Sequence, residues 1–312
     1  MTIALLFPGQ GTQHEAMLPW LETEPAARPV LDRMAAALGA DWRARLADAG
    51  WAQSNAVAQS LVTGSSVAAW TALAPGLPRV VAVAGYSVGE LAACVAAGML
   101  DADDAMTLAA RRAAAMDACA VDGAAGLLGL SNVDAREVDA ACARWGLEIA
   151  IRTGERRCIV GGPADALARA AAHLAELGAK TTPLGVRVAS HTRAMRAAVP
   201  ALARALALAR WRAPRVAWVA GITGTVLRDV AEVQRVLADQ VATTVRWDAC
   251  MDAVAERRPD AVLEVGPGTT LARLWRERHP AIPARSCDEF ASAQQVLDWS
   301  AMATGRQGPS YP

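Results

Sequence analysis

Three short apolar runs, Ile3–Phe7, Val80–Gly85 and Ala261–Val265, constrain this chain most, because each ends in glycine-containing sequence and is followed by a helix-length amphipathic stretch. A short apolar run bounded by turn residues suits a strand buried on both faces. Strands that alternate with helices in this way build an α/β fold with a mainly parallel sheet. Ligands of such sheets gather at the carboxyl ends of the strands, so the glycine turns are where chemistry is expected.

Between Gly123 and Ser190 the pattern changes to that of a separate unit. Ala124–Leu130 reads as a strand, and Ser131 with Asp134 has capping-box spacing ahead of a helix that Gly146 would end. Leu147–Arg152 and Arg157–Gly161 then resemble a hairpin around Thr153–Arg156, Pro163 starts a second helix ending at Gly178, and Lys180–Leu184 closes the unit. The order β-α-β-β-α-β is that of a ferredoxin-like module. The expected division is a large domain from residues 1–122 and 191–300, with a small domain at 123–190 inserted in it. The last residues, 305–312, contain Gly, Pro and Gln without periodicity and are expected to form a disordered tail.

Composition removes several chemistries. Only Lys180 among the 31 basic residues is a lysine, so a Walker-type loop is absent and a Schiff-base lysine has one poor candidate. The four histidines, His14, His173, His191 and His279, are too far apart in sequence for a helical metal pair, and no metal is expected. The 31 basic and 31 acidic side chains balance, which argues against a general nucleic-acid or membrane-surface binder. The six cysteines form no C-x-x-C pair and read as reduced core residues of a cytoplasmic protein. Met1–Phe7 lacks the features of a signal peptide, and no apolar stretch approaches the roughly 20 residues of a membrane span.

The strongest local signal is Gly85-Tyr86-Ser87-Val88-Gly89, which sits between the strand Val80–Ala84 and the helical run Glu90–Ala97. That is the setting of a nucleophile elbow, with Ser87 projecting from the sheet edge and the Val88 N–H aimed at a developing oxyanion. A plain glycine-rich turn with Ser87 as helix cap is the alternative. Phe7-Pro8-Gly9-Gln10-Gly11-Thr12-Gln13 leaves the first strand and would hold backbone and amide donors at the same edge. His191, after Ser190 at a helix start, is either a cap or the base for Ser87. Arg111 and Arg112 lie on a helix that Asp101 to Asp104 would cap, and adjacent positions point about 100° apart, so one can face a pocket and supply a fork for a carboxylate.

Together these segments resemble the malonyl-CoA:acyl carrier protein transacylases and the related acyltransferase domains of fatty-acid and polyketide synthases. The resemblance covers about Met1 to Asp298. It rests on the ordered blocks Phe7–Gln13, Gly85–Glu90, Arg112 with Met116, Ser190-His191, Gln240 with Val245-Arg246-Trp247, and Glu264–Gly268. It implies an α/β-hydrolase-like large domain with an inserted ferredoxin-like domain. It further implies Ser87 as acyl-accepting nucleophile, His191 as base, Gln10 and Val88 as oxyanion donors, and Arg112 as partner of the malonyl carboxylate. Gln240 would orient His191 through its main-chain carbonyl in place of a triad aspartate. The implied reaction is ping-pong transfer from malonyl-CoA to the phosphopantetheine-type thiol of an acyl carrier protein, with no bound cofactor.

Within the family one position departs, since Tyr86 stands where most members have histidine. The G-Y-S-V-G-E form resembles the transacylase subunit of malonate decarboxylase, whose acceptor is the phosphoribosyl-dephospho-CoA thiol of a small carrier subunit. That makes other decarboxylase subunits expected partners and Tyr86 a candidate modulator. A fatty-acid-synthesis transacylase, a malonyl thioester hydrolase and a non-catalytic carrier-docking module are the alternatives. Ser190 before His191 leaves methylmalonyl open as a second acyl group. For an acidic carrier, Arg193, Arg196 and Arg204, or Arg156 and Arg157, are candidate docking residues.

Overall fold

The computed structural model describes residues 1–119 and 125–305. The expected junction at 122/123, the first residue of the strand expected at Ala124–Leu130, and all of the expected tail except Gly305 lie outside the described residues. Among the described residues there are eleven strands: β1 (Thr2–Phe7), β2 (Arg79–Gly85), β3 (Ala125–Ser131), β4 (Glu148–Gly154), β5 (Arg157–Pro163), β6 (Lys180–Pro183), β7 (Ala217–Ala220), β8 (Thr225–Leu227), β9 (Val245–Arg246), β10 (Ala261–Glu264) and β11 (Ala284–Ser286).

Six of them form the large sheet in the order β11-β10-β1-β2-β7-β8, parallel except for the antiparallel β7–β8 pair. Alternate residues of β1 feed different cores: Ile3, Leu5 and Phe7 pack with helices on one face, Ala4 and Leu6 with those on the other. Two buried faces explain why β1 reads as a continuous apolar run rather than an alternating one. Register places Phe7 beside Gly85 and Leu6 beside Glu264, so three glycine-containing loops leave one edge side by side.

The second sheet has the order β6-β3-β5-β4-β9, with β3, β4, β5 and β6 antiparallel and two helices, Ala135–Trp145 and Ala164–Glu176, packed on it. It is a ferredoxin-like arrangement attached to a larger α/β unit. Three details differ from expectation. Asp134 is the N-cap residue, but its carboxylate pairs with Arg156 and forms no capping bond, while Ser131 ends β3, so the capping box is not made. Pro163 closes β5 and the helix begins at Ala164. The sheet also recruits β9 from far along the chain, parallel to β4, with Thr244 Oγ1 donating to Ile149 O at 2.6 Å. Among the described residues no helix is long and apolar enough to cross a membrane.

Glu264, at the end of β10, is fully buried; its Oε2 accepts from Ala272 N at 2.9 Å, where the helix Thr270–Arg278 begins, and its Oε1 has no partner among the described residues. Burial pushes its carboxyl up from 4.5 to about 8, against the pull of the Ala272 and Leu271 amides. A carboxyl raised in the native state keeps a proton that the unfolded chain has released. Its contribution therefore lowers stability as pH rises through that window and levels off above it. Glu264→Gln is expected to flatten this slope. Urea midpoints taken at about pH 5 and about pH 8 should fall less in the variant than in the wild type, and an equal fall would argue against a neutral Glu264.

Candidate active site

The turn after β2 is too tight for side chains at its flanks. A Cβ on Gly85 would lie 2.1 Å from Glu90 N, and one on Gly89 would lie 2.3 Å from Phe7 O. Between them Ser87 takes a left-handed backbone, φ 57°, which is costly for a residue with a Cβ and persists only where the surroundings impose it. Strand β2 is held beside β1 by the Tyr86 N to Phe7 O bond, 2.9 Å, so the elbow and the Pro8–Gly11 loop meet at one edge. The result is an Oγ lifted off the carboxyl end of the sheet.

His191 reaches that oxygen from the chain that follows the small domain. Its Nε2 lies 2.8 Å from Ser87 Oγ, and its Nδ1 lies 2.7 Å from the main-chain carbonyl of Gln240. A carbonyl can only accept, so Nδ1 carries the proton and Nε2 presents its lone pair to the hydroxyl. His191 is itself in a left-handed conformation, φ 64°, fixed by His191 N donating to Val241 O at 2.7 Å. The helix-cap alternative for His191 does not hold, because Thr192 caps the short helix that follows. Burial and the neighbouring Arg112 push the imidazole down to about 3, with the Gln240 carbonyl pulling the other way, which keeps the ring neutral near pH 7.

Arg112 projects from the helix Ala102–Asp117, which Asp101 caps through Asp104 N, and it is buried whereas Arg111 is exposed. Its Nη2 donates to Ser87 Oγ at 3.2 Å and to Gln240 Oε1 at 3.0 Å, and its Nη1 donates to Gln59 Oε1 at 2.8 Å. Burial lowers the guanidinium to about 10, which leaves it charged at neutral pH. A charged fork thus lies beside the hydroxyl and the imidazole. The cavity beside Ser87 and Arg112 is only about 10 Å³ and is walled by Leu91, Leu202, Leu206 and Leu237.

Sequence reading overlooked two residues. Gln59 is fully buried in the helix Asn55–Leu73 and is braced by Asn55, whose own amide donates to Asp117 at 2.8 Å. The signal for it was an Asn and a Gln four residues apart inside an apolar helical run. Glu90, quoted only as the end of the elbow block, is buried beneath the site and accepts from Gly221 N and Gln240 Nε2. Burial holds its carboxyl up at about 8, while Gly221, Arg112 and Gln240 pull it down.

The remaining candidates are placed as follows. Val88 is buried behind Ser87, and Gln10 lies in the adjoining loop, where Gly9 packs so closely that a Cβ there would be 2.6 Å from Tyr86 O. Gln13 is not a donor to the site, because its amide is spent inside the loop and on Ala52 O at 2.9 Å. Tyr86 turns away from Ser87 to stack edge-on against Trp247, ring centres 5.3 Å apart, and burial raises its hydroxyl. It borders a groove of about 270 Å³ between the small sheet and the helix Thr270–Arg278, where Arg157, Lys180 and Arg273 also lie. Among the described residues no cluster of three or more His, Cys, Asp or Glu side chains is gathered as a metal site requires.

A neutral imidazole on a serine hydroxyl, with a buried cation alongside, can activate the oxygen for attack on an acyl carbon and hold an anionic substituent of that acyl group. Comparison with known proteins agrees with this chemistry. The acyl transferase domain model matches residues 4–288. A malonyl CoA-acyl carrier protein transacylase of Mycobacterium tuberculosis is 34% identical over 309 residues, spanning 95% of this chain and 99% of that one. The crystal structure of a malonyl-CoA:acyl carrier protein transacylase from Xanthomonas oryzae pv. oryzae superposes with a TM-score of 0.88 at 30% identity, covering 96% of this chain and 99% of that one. A type II PKS acyl-carrier protein in complex with its malonyl-transacylase gives 0.88 at 25% identity, over 96% and 99% of the two chains. By the reach of the domain model and this full-length similarity, the chain belongs to the acyl transferase domain family.

Proposed function

We propose that the protein is a malonyl-CoA:acyl carrier protein malonyltransferase that works through a serine ester. The observation that carries this reading is the relay from Ser87 Oγ through His191 to the Gln240 carbonyl with Arg112 Nη2 3.2 Å from the same oxygen. In the first half-reaction Ser87 Oγ attacks the thioester carbon as its proton passes to His191 Nε2. The oxyanion, held by the Gln10 and Val88 amides, collapses with cleavage of the C–S bond. His191 returns the proton to the departing CoA thiolate. In the second half-reaction the carrier thiol gives its proton to His191 as its sulfur attacks the ester carbon, the C–Oγ bond breaks, and His191 returns the proton to Ser87 Oγ. Arg112 holds the free carboxylate throughout, and Gln240 fixes the imidazole tautomer through its carbonyl.

The large domain is assigned to residues 1–122 and 191–300 and the small one to 123–190, with β9 of the large domain completing the small sheet. Six free cysteines, four of them buried, suit a reducing cytoplasmic setting. The acceptor proposed is the phosphoribosyl-dephospho-CoA thiol of a malonate decarboxylase carrier subunit. Tyr86 supports it, together with the adjoining groove, where Lys180 and Arg273 place positive charge suited to a phosphate-bearing arm. Of the arginines considered for docking, Arg156, Arg157 and Arg193 are paired with Asp134, Glu277 and Glu148, which leaves Arg196 and Arg204 exposed as the better candidates.

The acceptor assignment predicts a preference of about tenfold or more in kcat/KM for the decarboxylase carrier over a pantetheine-armed fatty-acid carrier. Loading wild-type enzyme with malonyl-CoA and following transfer to each carrier measures it. A preference for the fatty-acid carrier would move the protein to the fatty-acid branch of the family.

A further inference from the structure

The amide of Gln240 has two orientations, and only one serves the site. Arg112 offers nothing but donors, so Oε1 must face it, 3.0 Å from Nη2. Nε2 then needs acceptors on its other side, and it finds Ser87 O at 3.1 Å and Glu90 Oε2. Glu90 is fixed in its turn, since its second oxygen accepts from Gly221 N just past β7. The same Gln240 main chain carries the carbonyl that holds His191. One buried carboxylate therefore lies behind both the cation and the base, and touches neither.

We propose that Glu90 is a positioning residue of the transfer site, locking Gln240 so that its side chain presents Oε1 to Arg112 and its main-chain carbonyl meets His191. The inference rests on the roles given to Ser87, His191 and Arg112 in the proposed function. A carboxylate suits the task because it gives two acceptors to two donors that face each other across it. A glutamine there has one oxygen for the two and must turn its NH2 toward either Gly221 N or Gln240 Nε2.

The test is a double-mutant cycle on the full chain with Glu90→Gln and Gln240→Ala. Pre-steady-state CoA release is followed with malonyl-CoA and acetyl-CoA, with thermal melting as the check on folding. Glu90→Gln alone is expected to slow malonyl loading about 10- to 100-fold, as for other groups that orient a ligand-holding residue, and to reduce the preference for malonyl over acetyl. In the Gln240→Ala background the same change should cost less than about threefold, because the residue through which Glu90 acts is already gone. Equal losses in both backgrounds, or an unchanged rate in Glu90→Gln, would overturn the inference. If Glu90→Gln does not fold, Glu90→Asp takes its place in the cycle, withdrawing the acceptor from Gln240 while keeping a carboxyl group, with the same two outcomes. The wild type separates this from the underlying reading: absence of a malonyl adduct on Ser87 defeats the proposed function, whereas an adduct with additive losses defeats only the role of Glu90.

Discussion

Replacing Ser87 by alanine is expected to lower malonyl transfer by about 10,000-fold or more, the scale seen when a nucleophile that acts as a unit with its base is removed. No other oxygen can stand in for it. Its Oγ is the atom to which both His191 Nε2 and Arg112 Nη2 converge, and the glycine flanks leave no room for the chain to shift. The effect should lie in kcat, since the groove and Arg112 are untouched and substrate still binds. Folding should be retained, because alanine removes only the hydroxyl from a residue whose left-handed φ of 57° is imposed by its surroundings. Transfer to a carrier thiol, measured with a thermal melt of the same sample, checks both parts. Activity within tenfold of wild type in a folded variant would mean that the elbow serve only to turn the chain.

Arg112→Ala should act on one substrate and spare another. A malonyl carboxylate brought into a buried site without its cation costs about 3–5 kcal/mol, which is roughly 150- to 5,000-fold in kcat/KM. Acetyl-CoA carries no such group, so its slower reaction should change by less than about tenfold. The ratio of the two losses is the informative quantity. Equal losses on malonyl and acetyl would assign Arg112 to the architecture around Gln59 and Gln240 rather than to the substrate.

The parts of the fold that were legible in sequence are those where covalent geometry narrows the choice. Strands β1, β2 and β10 are short apolar runs buried on both sides, and the Gly85–Gly89 turn admits almost no side chains at its flanks, so local sequence nearly specifies local structure there. Strand β11, Ala-Arg-Ser, and the edge strand β8, Thr-Val-Leu, were not anticipated, because a three-residue strand takes its identity from its neighbour's hydrogen bonds rather than its own pattern. The same holds for β9, which joins a sheet whose other strands precede it by about sixty residues or more in sequence. The Asp134 cap failed for a related reason, since its carboxylate is taken by Arg156 from the hairpin turn.

At the site, Ser87, His191, Arg112 and Gln240 were all nominated in advance and the fold brings them into one hydrogen-bonded group. Gln59 and Glu90 were not, although they hold that group in place. A buried polar side chain in a helix looks like any other polar residue until its partner is known, and both partners here are more than fifty positions away. The Phe7–Gln13 loop was expected to hold amide donors at the sheet edge, whereas the Gln13 amide bonds to Gly11 N and Ala52 O.

The central claim is that an acyl group passes through Ser87, and intact-protein mass spectrometry after brief incubation with malonyl-CoA tests it most directly. The account predicts one malonyl increment on the wild type, lost on adding a carrier thiol, and none on Ser87→Ala. An increment of equal size on Ser87→Ala, or CoA release by the wild type with no adduct at any time, would contradict a Ser87 ester and point instead to another nucleophile or to direct hydrolysis.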